Sequence, residues 1–263
     1  MSTATQTAPR SAGPAETTRP GLGLLSRVEL RKAVDTRAGT WLVVAVVLVS
    51  LVVVAVQVFA GGEQAGDYAM WLVLQQTAIS FLLPVIAILV VTSEWSARTG
   101  IGTFALVPHR QRVLAAKLLA VLVLTVVAFA VSAALTALGT LAGSAVQDVP
   151  ADWDLPWWQV LQPFALLLVS VLVGFALALL LLSSPVAIVL YFVVPTAFAL
   201  LFVFVGPLQD VGPWVDFSSA LAPVGQGVEM GGLDWARVAT SSAIWVLLPS
   251  VLGALRVHRA EIG

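Results

Sequence analysis

Cysteine is absent from this chain, and charge is scarce. The first absence excludes thiolate catalysis, disulfide frameworks and cysteine metal sites. Asp, Glu, Lys and Arg together make up 10% of the 263 residues, where a soluble domain averages about 25%. Lysine occurs only at positions 32 and 117, and histidine only at 109 and 258. No GxxxxGK[ST] phosphate loop, HExxH pair or GxSxG elbow occurs. Nothing here points to a catalytic or cofactor-binding centre, and a net charge of −1 does not point to nucleic acid.

Apolar residues take up 59% of the chain, with a mean hydropathy of +0.99. One water-soluble core cannot hide that much apolar surface, so lipid is the expected solvent. A helix rises about 1.5 Å per residue, so about 20 apolar residues cross the hydrocarbon layer. Six segments qualify: 41–60, 70–91, 113–141, 160–182, 185–205 and 238–257. The expected fold is an all-α membrane protein of six transmembrane helices. Only Ser183 and Ser184 part the fourth span from the fifth, and Pro185 then sits where a first helical turn tolerates it, so a tight helical hairpin is expected. Residues 1–20, rich in Thr, Ala, Ser and Pro, read as a disordered tail rather than a signal peptide. Residues 21–40 read as a connecting segment, and 41–258 as the transmembrane domain, with an outer segment at 208–236.

Twelve of the thirteen Lys and Arg fall before span one, between spans two and three, or after span six, counting Lys117 and Arg256 at the very ends of spans three and six, and Arg237 is the exception. The positive-inside rule puts those segments, and both chain ends, in the cytoplasm of a cell whose plasma membrane the chain crosses. Lys117, in the first turn of the third span, is expected to snorkel to the headgroups. Trp41, Trp71, Trp95, Trp153, Trp157, Trp158 and Trp235 lie near span ends, where indole rings favour the headgroup level. Pro84, Pro195 and Pro249 each predict a kink. Gly139 and Gly143 form a GxxxG, either a close-packing site or chance spacing.

No span carries Asp, Glu or Arg at its middle. Ion-coupled transporters usually do, so energy for uphill transport would come from a partner. Gln75, Gln76 and Thr77, in the outer half of span two, either line a pathway or, the commoner role, bond between helices. The stretch from Glu94 to Lys117 holds more. An acidic residue closes span two, a partly apolar segment with Ile101, Phe104 and Leu106 follows, Pro108 stops it, and Arg110, Arg112 and Lys117 lead into span three. Apolar side chains rimmed by charge on a loop that faces water read as a protein contact. The alternative is that the cations are topology anchors and the apolar groups dip into the interface.

This loop resembles that of type-2 ABC transporter permeases, especially small actinobacterial-type ones. The likeness rests on Glu94, the Thr99-Gly100 turn, the apolar stretch Thr103 to Leu106, Pro108, Arg110 with Arg112, and Lys117. The basic segment Ser26 to Lys32 before a Trp-led first span, and the long outer loop before span six, are similar too, so the resemblance covers residues 24–258. It implies a coupling helix within 96–106 seated in a separate ATPase subunit, with Glu94, Arg98, Thr99, Phe104, Leu106, Pro108, Arg110 and Arg112 as the coupling residues. It further implies an amphipathic surface helix over 22–37, short outer helices over 208–236, a second permease chain, and export driven by ATP and Mg on the partner. The alternatives from other classes are a passive channel or secondary transporter, and a non-transporting scaffold or immunity protein.

Overall fold

The computed structural model describes residues 21–96 and 110–259, and these are helical almost throughout. Among the described residues no strand forms; a single bridge joins Asp67 to Asp152. Helix α1 (Leu22–Asp35) turns at Thr36 into α2 (Arg37–Ala60), and the Thr36 hydroxyl caps α2 by accepting from the Gly39 N–H at 3.1 Å. A short turn leads to α3 (Tyr68–Ile79) and α4 (Leu83–Ser96), which together make the second long apolar segment. Then come α5 (Arg110–Gln147), α6 (Trp157–Leu181) and α7 (Ser184–Phe204). Three one-turn helices follow, α8 (Gly212–Val215), α9 (Phe217–Ala220) and α10 (Ala222–Gly225), then α11 (Gly232–Ser242) and α12 (Leu248–Arg259).

Six helical stretches are long and apolar enough to span a membrane: Arg37–Ala60, Tyr68–Ser93, Gln111–Gln147, Trp157–Leu181, Ser184–Phe202 and Gly232–Arg256. Each contains most of one of the six segments expected from the sequence. Their burial sorts them into centre and rim. The second and fourth stretches are 61% and 56% buried, the other four between 11% and 22%. Gly174 permits the central contact, because a side chain there would strike the Pro84 carbonyl at 2.8 Å. The rim helices turn large apolar side chains outward, Val52, Val126, Val189 and Val251 among them. Water would oppose that arrangement, and it is the surface expected of a membrane protein.

The expected hairpin between spans four and five is present. Leu182 closes α6 in the left-handed region (φ 54°), and Pro185 stands in the first turn of α7. The three predicted kinks turn out differently. Before Pro84 the helix is interrupted at residues 80–82. Before Pro249 it widens into a π-helical turn over Ala243–Leu247, which absorbs the missing N–H. At Pro195, α7 runs on unbroken, as α6 does at Pro163. Three helices also outrun the lengths read from hydropathy: α2 begins at Arg37, α5 reaches Gln147 and α11 begins at Gly232. At 38 residues α5 is roughly 57 Å long, well beyond a ~30 Å hydrocarbon layer.

The glycine pair proves to be a packing site within the chain. A side chain at Gly139 would run into that of Gln57, and one at Gly143 would meet the Ala65 carbonyl at 3.0 Å. Trp71 departs from the expected belt: it is buried, with its indole N–H donating to the Gln64 carbonyl at 2.8 Å. Trp41, Trp153 and Trp157 are exposed, as belt residues would be. Within 208–236, where short helices are expected, lie α8 to α10. The expected tail, residues 1–20, lies outside the described residues.

Candidate functional site

Two places in the fold concentrate polar chemistry, one at the end of the bundle where α4 and α5 flank 97–109 and one at the break within span two. The first is where the chain enters and leaves the segment 97–109. The residue that organises it is Lys117. It was expected to snorkel outward, but it is fully buried. Its ammonium donates to Glu29 Oε2 at 2.7 Å and to the Val90 carbonyl at 2.8 Å. The physical reason is reach: α1 lies across the start of α5 and brings a carboxylate to the ammonium before headgroups can. Glu29 is itself buried, and its other oxygen accepts from Lys32 Nζ at 2.8 Å. Burial pushes the Glu29 carboxyl pKa up, but Lys117 and Lys32 more than offset this, so the group ends below its usual value and stays ionised.

This joint ties three elements together. Glu29 belongs to α1, Val90 to α4 and Lys117 to α5. Helices α4 and α5 are the two that flank 97–109, so both ends of that segment are anchored to one buried charge. Beside it the Thr92 and Ser184 hydroxyls meet at 2.6 Å, and Arg256 donates to the Leu180 carbonyl at 2.7 Å, bringing α7, α12 and α6 to the same end. Of the expected coupling residues, Arg98, Thr99, Phe104, Leu106 and Pro108 lie outside the described residues. Glu94 and Arg110 are placed by their helical backbone at the two flanks, and Arg112 is half-buried in the first turn of α5.

The second place lies around the interruption in span two. Of the three expected pathway residues, only Thr77 lines a cleft there. Gln76 points away and donates to the Ser132 hydroxyl of α5 at 2.8 Å, the interhelical role that competes with a pathway. Gln75 is fully buried, with no hydrogen-bond partner for either amide atom among the described residues. Gln57 donates to Thr140 Oγ1 at 3.0 Å and to the Ala65 carbonyl at 3.2 Å, extending the same polar seam between α2 and α5. The cleft holds about 420 Å³ between α3, α6, α7, α9 and α10, within the usual size range of small-molecule sites. Its floor is the broken helix: Pro84 has no N–H for the Ser80 carbonyl, whose donor is instead the Tyr191 hydroxyl at 3.5 Å. Irregular backbone at membrane depth is tolerated where it is buried in protein or lines a cavity.

Sequence reasoning passed over Glu29 and, in the lining of the cleft, Ser80, Ser170 and Tyr191. A signal existed for the first: a lone lysine inside an apolar helix needs a carboxylate, and few are near in a chain with so little charge. For the others the signal was weak, since a serine in an apolar run is ordinary. Compared with models of known protein families and with curated proteins, the sequence matches none of them.

Proposed function

We propose that this chain is the membrane-spanning permease subunit of an ATP-driven ABC-type exporter in the plasma membrane, working as a pair with a second permease chain and with separate ATPase subunits. The observation that carries this reading is the Glu94-to-Lys117 connector. Its sequence resembles the coupling loop of type-2 permeases, and both its ends are fastened to the buried Glu29–Lys117 joint. A load on the loop is therefore transmitted to α4, α5 and α1 together, which is what a mechanical handle requires. Both chain ends and this loop lie on the cytoplasmic side, where the cations cluster.

ATP and Mg stay on the partner. Closure of the ATPase pair pulls on the loop, and the bundles rock between inward and outward access. Phe104 and Leu106 are the apolar anchors in the partner's groove; Glu94, Arg98, Arg110 and Arg112 fix the contact by charge; Thr99 and Pro108 bound the segment. In vesicles holding the chain with its ATPase, Phe104→Ala is expected to uncouple ATP turnover from transport while insertion stays intact. Normal coupling in that variant rejects the assignment of the loop. Transport without any ATPase favours a channel or secondary transporter. Absence of substrate-stimulated ATP turnover in the complex favours a scaffold or immunity protein.

A further inference from the structure

The cleft beside the span-two interruption has a lining whose chemistry is one-sided. Its body is apolar and aromatic, with Phe81, Phe192 and Phe217 among its walls. Its polar groups are nearly all hydroxyls, and four of the six, all but Ser170 and Tyr191, give their protons to the protein at 2.9 Å or less. Thr77 donates to the Val73 carbonyl at 2.8 Å, Ser80 to the Thr77 carbonyl at 2.7 Å, and Thr196 to the Phe192 carbonyl at 2.8 Å. Ser218 donates to Asp216 Oδ2 at 2.9 Å. A hydroxyl that gives its proton away keeps only lone pairs to offer. The Ser80 carbonyl, held by a single long contact, is one more acceptor.

Among the described residues no Lys or Arg lines the cleft. Ser218, on its wall, passes its proton to the buried carboxyl group of Asp216. An anion placed here would meet more acceptors than donors, with only the Ser170 and Tyr191 hydroxyls to replace its hydration. A group carrying N–H or O–H donors would find several oxygens waiting in a water-poor site, with aromatic faces that favour a cationic head.

We infer that this cleft binds a drug-sized amphiphile whose polar group carries hydrogen-bond donors and no negative charge. Phe81 and Phe192 are exposed at its mouth, so the apolar body enters sideways, from lipid. As a statement about cargo this rests on the transport reading above; as a statement about binding it stands alone, and its test needs no ATPase.

The test is photolabelling of the isolated full chain in nanodiscs of zwitterionic lipid. Three diazirine-bearing twelve-carbon probes are compared: an alkylamine, an alkyl alcohol and an alkyl sulfonate. The amine and the alcohol are expected to label peptides containing Thr77–Phe81 and Tyr191–Ala199, about tenfold more than the sulfonate does, the scale set by buried groups left unpaired. Unlabelled amine should compete. Ala199→Trp and Ala222→Trp, both at exposed positions on the cleft wall, should each abolish that labelling while labelling elsewhere persists. Equal labelling by all three probes, or labelling that survives both variants, overturns the site. Selective labelling in a chain that no ATPase drives keeps the site and removes the transport reading; driven transport without selective labelling does the reverse.

Discussion

Lys117 shows what a single side chain does when its solvent is taken away. A buried ammonium is tolerable only with a carboxylate and further acceptors around it, and Glu29 with the Val90 carbonyl supplies them. Removing one partner leaves the other charged and buried. Glu29→Ala is therefore expected to cost about 3–5 kcal/mol and to free α1 from the bundle. The paired change Glu29→Leu with Lys117→Met should cost less, because the buried ammonium and the carboxylate facing it are removed together. Denaturant titration in detergent, with proteolysis near Thr36 as the local readout, checks both. The pH dependence follows from the same pair. The Glu29 pKa is lowered by folding, so its stabilisation is complete above the ordinary glutamate range and is lost as pH falls through the lowered folded value. Hydrogen exchange of α1 should accordingly stay slow at mildly acid pH and rise only below that range. Glu29→Gln should remove this dependence.

At the scale of elements, the fold turns on two close approaches and one break. Along α5, Gly139 and Gly143 admit the Gln57 side chain and the Ala65 carbonyl, so α2 and the turn after it sit directly on the helix. Gly139→Leu is expected to destabilise by about 1–3 kcal/mol through overpacking and to break the Gln57–Thr140 bond. Thermal unfolding of the two proteins in one detergent measures it. The break at residues 80–82 is set by Pro84. Pro84→Ala returns an N–H to the Ser80 carbonyl, so α3 and α4 should join into one helix and the cleft should shrink. The expected readout is amine-probe labelling at Thr77–Phe81 reduced severalfold with stability unchanged or raised. Undiminished labelling would show that the interruption does not form the site.

At the scale of the molecule, charge is sorted to the two ends and apolar surface to the waist. Twelve of thirteen Lys and Arg lie before or at the start of α2, from the end of α4 through the first two turns of α5, or near the end of α12. The Glu29–Lys117 joint and the Arg256–Leu180 contact hold those segments together at one end. At the other end Asp152 bridges to the turn before α3, and Gln147 donates to the Val58 carbonyl at 3.0 Å. Single-cysteine labelling in intact cells should find residues 94–112 shielded from impermeant reagents, and residues 148–156 reactive. The cysteine-free background makes that mapping direct. Reaction at 94–112 from outside would invert the topology and remove the ATPase reading.

The number and approximate limits of the long helices were legible in the amino-acid order, because hydropathy over 20 residues is a local quantity and lipid rewards it wherever it occurs. The tight turn at Ser183–Ser184 was legible for the same kind of reason, since two apolar lengths end to end must fold back. Which helices stand at the centre, where Lys117 sends its ammonium, and which of Gln75, Gln76 and Thr77 meets a cleft were decided by tertiary structure alone. Those outcomes depend on contacts between residues 27 to 111 positions apart along the chain, Lys117 with Val90 and Tyr191 with Ser80 among them, and no local pattern encodes a distance of that kind.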